Sequence, residues 1–240
     1  MAGQLAGRRE RQRRNTLAEI HAAARRLLVT QGPAAVTINA VAREVGMTGP
    51  ALYHYYAGLD DLHAALTAGF YEELAAALAA ARDAHAGAPP GRRLLVAARA
   101  MRQWAITHRA EFGWLFARPA PPAGERRPDS AEHRAAVGFE QVFLEIFTEL
   151  WETDGFRVPE PVELAPGLRD QLTAYSAGIG GRLPPEAAHV FLTSWIRLYG
   201  LLSMEVLHQL SFALSDLAPV FEECLRELTD RLGLPYEPPA

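Results

Sequence analysis

Three observations on the 240 residues predict an all-α fold. Apolar residues recur at three- and four-residue spacings in nearly every segment, no sustained period-2 alternation argues for a strand, and Gly/Pro-rich stretches punctuate the helical runs. The first helix is expected over residues 10–31, with Leu17, Ile20, Ala24, Leu27 and Leu28 as its apolar stripe. Gly32 suits its C-cap and Pro33 cannot continue it. Thr37 caps a second helix running to about Val45, with Ile38, Val41, Ala42 and Val45 inward; Gly46 makes the turn. Thr48 caps a third helix, and Pro50 sits in its first turn, where a missing N–H costs nothing.

A long helix follows over 59–84, with Asp60 and Asp61 favourably placed against its dipole, and Gly87 to Pro90 break it. Helices are then expected over 91–108 and 109–117, a Pro-rich loop over 118–130, and a very apolar helix over 131–153. Pro159, Pro161 and Pro166 mark an irregular connection before a helix over 168–179. A long closing pair covers 185–211 and 214–232, and the tail PYEPPA is expected to be loose.

Composition bounds what this chain does. The apolar fraction is ordinary for a globular protein, and no run of about 18 apolar residues predicts a membrane span. The N-terminus carries basic charge without an apolar run behind it, unlike a secretory signal, and Cys224 is the lone cysteine, so an intrachain disulfide is impossible. A cytoplasmic location is expected. The net charge of −4 hides an asymmetry: residues 1–57 hold eight arginines against Glu10, Glu19 and Glu44, while the remainder holds sixteen arginines against twenty-five acids. A basic front end on an acidic body suits a protein whose front end meets a polyanion. All 24 basic residues are Arg, which fits the codon bias of a GC-rich genome.

The stretch Thr37 to Tyr56, TINAVAREVGMTGPALYHYY, has the form of a helix-turn-helix DNA reader: a scaffold helix, a tight turn, and a second helix slim enough for the major groove. Leu52 and Val45 are expected to pin the two helices together. Gly49, Pro50, Ala51, Tyr53, His54 and Tyr55 are left to face out. Pro50 and Ala51 suit a thymine methyl, and His54 suits a base edge or phosphate. Tyr53 and the hydroxyls of Thr37 and Thr48 suit phosphate oxygens. Arg8, Arg9, Arg11, Arg13 and Arg14 add charge neutralisation upstream, Arg13 and Arg14 foremost, with the minor groove as their expected place.

The segment TINAVAREVGMTGPALYHYYAGLDDL resembles the DNA-binding domain of the tetracycline-repressor (TetR) family. It matches in Thr37, in Val41-Ala42, in the Gly46 turn and in the run Leu52-Tyr53-His54-Tyr55-Tyr56. The resemblance implies an all-α homodimer in which a DNA-binding domain, here 1–57, precedes a ligand-binding and dimerisation domain, here 58–240. One departure stands out: the family usually carries a basic residue at the start of its fourth helix, where this chain has Leu59 between Gly58 and Asp60. The segment 193–210 resembles the family's C-terminal domains with a Trp-x-x-x-His/Tyr-Gly signature, matched by Trp195, Tyr199 and Gly200. That implies a dimer interface built from the last two helices, to which Phe191, Trp195, Leu198, Leu202, Val220 and Leu228 are assigned. The aromatic residues Trp104, Phe112, Phe139, Phe143, Phe147 and Tyr175, with His108 and Gln141 as polar anchors, are expected to line an effector pocket.

The resulting expectation is a homodimeric repressor of no enzymatic activity, released from a double-stranded DNA operator by an unidentified small molecule, with no cofactor, metal or membrane partner. Two other classes compete. A helical adaptor would use the apolar C-terminal helices but has no need of the basic arm. A metal-dependent helical-bundle enzyme would need more than the single Glu205/His208 pair, and no HExxH, P-loop or nucleophile-elbow motif occurs.

Overall fold

The apolar periodicity of the front end closes into a core around Ile20. The structure, a computed structural model, describes residues 2–117 and 127–239. Helix α1 (Ala2–Gln31) ends where Gly32 takes a positive φ, and a single 3-10 turn at Pro33–Ala35 leads into α2 (Ile38–Glu44) and α3 (Gly49–Leu52). Between α2 and α3, Gly46 adopts φ +70°, its N–H donating to the Arg43 carbonyl while Met47 N–H donates to that of Ala42. This paired closure needs a left-handed residue, which is why glycine stands there. Ile20, Ala24, Leu27 and Leu28 of α1 bury against Ile38, Val41 and Ala42 of α2 and Leu52 of α3.

These elements, the first half of α4 (Leu59–Asp83) and α6 (Arg109–Phe116) belong to one compact unit, Met1–Glu72 with His108–Ala136. The expected division at 57/58 falls inside it. The unit is larger because α6 supplies core that the first three helices lack: Phe112 and Trp114 are buried. Trp114 Nε1–H donates to Thr67 Oγ1 at 2.9 Å, and His63 meets the Trp114 ring edge-on at 4.8 Å. Glu111, only 3% exposed, accepts from Arg25 Nε at 2.5 Å, and the Arg25 guanidinium also lies over the Phe70 ring. His21 Nε2 lies 2.7 Å from the hydroxyl of buried Tyr56. Burial pushes that hydroxyl up to about 12, with Asp61 adding to the shift and Arg13 opposing it. Burial also holds the His21 imidazole below its ordinary range, against the pull of Glu72.

The second unit, Glu73–Thr107 with Val137–Ala240, holds the rest of α4, α5 (Pro90–Thr107), most of α7 (Ala131–Thr153), α8 (Pro166–Gly178), α9 (Pro185–Val206) and α10 (Ala218–Leu232). Helix α9 packs against α5, α8 and α10. Its one buried acid, Glu205, is gripped by Arg102 of α5 through two hydrogen bonds of 2.9 and 2.6 Å. Arg99, one turn earlier, grips Glu222 of α10 in the same way at 3.0 and 2.8 Å. The tail is not loose: Arg99 also donates to the Glu237 carbonyl, Tyr236 donates to Glu222, and Arg226 lies over the Tyr236 ring. Leu234 packs so close to Gly91 that a Cβ there would meet it at 3.3 Å.

Helix boundaries differ from the sequence expectation at three places. Helix α1 starts at Ala2, so the arginine-rich stretch is helical, and α3 has four residues, with single turns carrying the chain on to Tyr56. Helix α9 stops at Val206 because His208 takes φ +56°, and 207–217 is irregular. Of the expected loop at 118–130, residues 118–126 lie outside the described residues. Among the described residues no helix is long and apolar enough to cross a membrane.

Replacing Glu205 with Ala strands a part-buried guanidinium, so urea unfolding should show a loss of about 3 kcal/mol. Glu227→Ala, which breaks an exposed pair with Arg197, should cost less than about 1 kcal/mol. The histidine carries a pH dependence. With its folded value depressed, the unfolded chain takes the proton first as pH falls through about 6.5, and stability is lost from there downward. The thermal midpoint of the protein should exceed that of His21→Gln by a margin that narrows between about pH 7.5 and pH 5.5.

Candidate nucleic-acid interface

At the tip of unit one, the segment from Thr48 to Tyr55 divides its side chains between scaffold and solvent. Leu52 and Tyr56 are buried, whereas Pro50, Tyr53 and His54 are exposed, Tyr53 at 55%. Gly49 and Ala51 are half-buried. The small size of Gly49 serves the protein's own packing: a Cβ would fall 2.7 Å from Asn39 Oδ1, so the Asn39 amide would have to turn away. Thr37 caps α2 by accepting from Ala40 N–H at 3.2 Å. Its hydroxyl proton remains able to donate. Thr48 stands at the start of α3 but makes no side-chain cap, contrary to expectation; its carbonyl instead accepts from Ala51 and Leu52.

The hydrogen bond between Tyr56 and His21 fixes where this tip stands on α1. Sequence reading missed it, because a tyrosine run carries no mark of which ring turns inward. Tyr55 is half-buried, and the Arg13 guanidinium lies 5.8 Å from its ring centroid. A cation over an aromatic face is attractive, so the upstream basic stretch is docked beside the tip. At 3.6 residues per turn, Arg9 and Arg13 continue the face that Ile20 buries, while Arg14 points elsewhere. The minor-groove placement of this stretch is corrected by its helicity. A helix with side chains is about 10–12 Å across, and the minor groove is about 6 Å wide. The exposed Arg8, Arg9, Arg11, Arg13 and Arg14 present a rod of charge suited to phosphates. At the start of α4, Leu59 is exposed and Asp61 accepts from the Ala57 N–H at 3.1 Å.

The residues assigned to an effector pocket do not converge. His108 and Phe112 belong to unit one, and Trp104, Phe139, Gln141, Phe143, Phe147 and Tyr175 to unit two. Trp104 Nε1–H donates to Glu73, and Gln141 accepts from Arg182 at 2.5 Å. Tyr175 donates to Glu140 at 2.5 Å, and burial together with that carboxylate pushes its hydroxyl far up. Only Phe143 and Phe147 of the set line the cavity that unit two contains. That cavity has an empty volume of about 450 Å³, including open solvent, between α5, α7, α9 and α10. Phe191, Trp195, Leu198 and Leu228, assigned to a dimer interface, line it as well.

Burial divides that set: Phe191, Leu198, Leu202 and Leu228 are core of the chain itself, and Val220 and Trp195 are half-buried. The apolar side chains exposed along α9 and the turn after it are Ile196, Met204, Leu207 and Phe212. Apolarity around the whole of α9 does not tell which side faces the core of the chain and which faces solvent. For the suggested metal pair, Glu205 is committed to Arg102 and His208 lies in the turn beyond α9. No group of three or more potential ligands stands together among the described residues.

Comparison with known proteins accounts for both units. Residues 20–66 match the family described as bacterial regulatory proteins, tetR family, and residues 94–228 match the tetracyclin repressor-like C-terminal domain. The HTH-type transcriptional regulators Mb1846 of Mycobacterium bovis and Rv1816 of Mycobacterium tuberculosis are each 33% identical over 115 residues, 48% of this chain and 49% of theirs. The chain thus spans about half the length of the curated relatives it matches. The crystal structure of SCO4313, a protein assigned as regulatory, aligns with a TM-score of 0.67 at 31% identity, covering 92% of this chain and 98% of that one. A protein of unknown function from Rhodococcus sp. RHA1 shares the fold, with a TM-score of 0.64 at 18% identity over 91% and 94% of the two chains. With its reader segment and more than half its length matched by two parts of one family, the chain belongs to the tetR family of bacterial regulatory proteins.

Proposed function

We propose that this protein is a homodimeric transcriptional repressor that binds an operator in double-stranded DNA and leaves it when a small molecule enters the body. The observation that carries the reading is the exposed pair Tyr53 and His54, held at the tip of a helix-turn-helix whose inward residues, Leu52 and Tyr56, are locked. A core has no use for such a pair, and a major groove does. The arginine face of α1 supplies the phosphate contacts that Leu59 does not, and these contacts make affinity steeply salt-dependent.

Dimerisation is assigned to the exposed apolar side chains Ile196, Met204, Leu207 and Phe212, the last 86% exposed. An isologous pairing gives a complex with two reader tips, suited to half-sites in successive major grooves, about 34 Å apart. Helix α4 begins in one unit and ends in the other, so it is the natural carrier of a shift from body to reader. A ligand that prefers the non-binding arrangement then lowers operator affinity by population shift.

The double variant Tyr53→Ala/His54→Ala should lose operator binding in a gel shift at matched salt, on DNA recovered by selection with the unaltered protein, while light scattering still reports a dimer. Undiminished binding would sink the reading. Arg13→Ala should keep the preference for that operator and flatten the plot of log affinity against log salt by about 0.9.

A further inference from the structure

A reader of the major groove tells bases apart through hydrogen-bonding side chains at the end that leads into the groove, and α3 brings none of its own. All four of its residues, Gly49, Pro50, Ala51 and Leu52, lack a hydrogen-bonding side chain. Tyr53 and His54 are exposed only beyond its last residue. A group that reads a base edge at the leading end must come from another element.

Asn39 stands at that place. It is the second residue of α2 and is exposed. Its Oδ1 lies 2.7 Å, and its Cγ 3.9 Å, from the point that a Cβ on Gly49 would occupy. The amide thus fills the space in which the first side chain of α3 would stand. The backbone does not call for glycine there, since Gly49 is not among the positive-φ glycines; the Asn39 amide does. Among the described residues no hydrogen bond engages that amide.

A carboxamide holds an acceptor oxygen and an N–H donor in one plane. Adenine offers the matching pair side by side in the major groove: N7 accepts from Nδ2–H while N6–H donates to Oδ1. Guanine presents two acceptors there, so Oδ1 would face another oxygen or nitrogen without a proton between them.

We infer that Asn39 of the scaffold helix reads the operator directly, selecting an adenine at one position of each half-site, and that residue 49 is glycine to leave its amide room. The inference rests on the reading of unit one as a major-groove reader and deepens it by naming a base-specifying residue and its base.

Selection of bound DNA from a random pool, run in parallel with the unaltered protein and its variants, tests this. The unaltered protein should give a motif containing an adenine that Asn39→Ala no longer selects, with the other positions keeping their preference. On a fixed operator, guanine in place of that adenine should weaken the unaltered protein about tenfold or more and leave Asn39→Ala nearly unaffected. 7-Deazaadenine at the same position lacks the N7 acceptor but keeps its Watson–Crick pairing, and should weaken the unaltered protein alone, by about fivefold. Gly49→Ala places a methyl against Oδ1, the far end of a rotatable side chain. That variant should lose the same adenine with no fall in thermal midpoint, and should change nothing further in the Asn39→Ala background. Should Asn39→Ala fail to fold, Gly49→Ala and the modified base decide. A motif without adenine, or one identical for Asn39→Ala and the unaltered protein, overturns the inference. So does a loss spread evenly over all positions, as do equal binding of adenine and 7-deazaadenine and an adenine that Gly49→Ala still selects. A sharp motif indifferent to Asn39 removes only this inference, whereas selection of no DNA by the unaltered protein removes the regulator reading and this inference with it.

Discussion

A carboxylate in an apolar interior needs a cation beside it, and Glu111 has one only because Arg25 reaches it from α1. That pair, 86 positions apart in sequence, makes α6 part of the reader's foundation. Once α6 is there, Phe112 and Trp114 complete the core that supports α1 and α4, and His63 and Thr67 find their partners on Trp114. The consequence is topological. The chain leaves unit one after Glu72, returns at His108, and leaves again after Ala136. Two of the three crossings fall inside helices, α4 and α7. The two units are thus joined through continuous helices at two of their three crossings rather than by a single flexible linker.

Unit two answers a different constraint. Helix α9 is apolar around nearly its whole circumference, and a helix of that kind must be covered on more than one side. One side borders the cavity and the core of the second unit, and Glu205 anchors its last turn to α5. Another side, through Ile196 and Met204, meets solvent in the single chain. The same helix therefore carries both a wall of the cavity and an exposed apolar surface.

The helical architecture was legible because periodicity and Gly/Pro punctuation are local signals. The Gly46 turn and the inward set Ile38, Val41, Ala42 and Leu52 stand where their spacing put them. Legibility failed where long-range contacts decide. Nothing local says that Tyr56 turns in to His21 while Tyr53 turns out, or that α6 returns to the front unit. A Pro-rich tail reads as loose by composition, yet Arg99 and Arg226 pin Tyr236 and Glu237 to the body. The same holds on α9: Phe191 and Leu198 are as apolar as Ile196 and Met204, and only the packed structure tells the buried face from the exposed one. The basic stretch read as an arm because arginines close together repel in isolation, whereas docking of Arg13 on Tyr55 gives the helix an anchor.

The two arginine forks of α5 have an implication for how this sequence can drift. A guanidinium holds a carboxylate at two points in one plane, which an ammonium cannot do. At Arg99 and Arg102 a change to lysine would leave Glu222 or Glu205 gripped at one point, with the rest of the carboxylate poorly satisfied. Where mutational pressure favours arginine codons it supplies such side chains without regard to geometry, but a protein folded around them cannot readily exchange them for lysine. A bias of nucleotide composition thus becomes a ratchet: a lineage that later returned to balanced base content would regain lysine on its surface well before it regained it along α5.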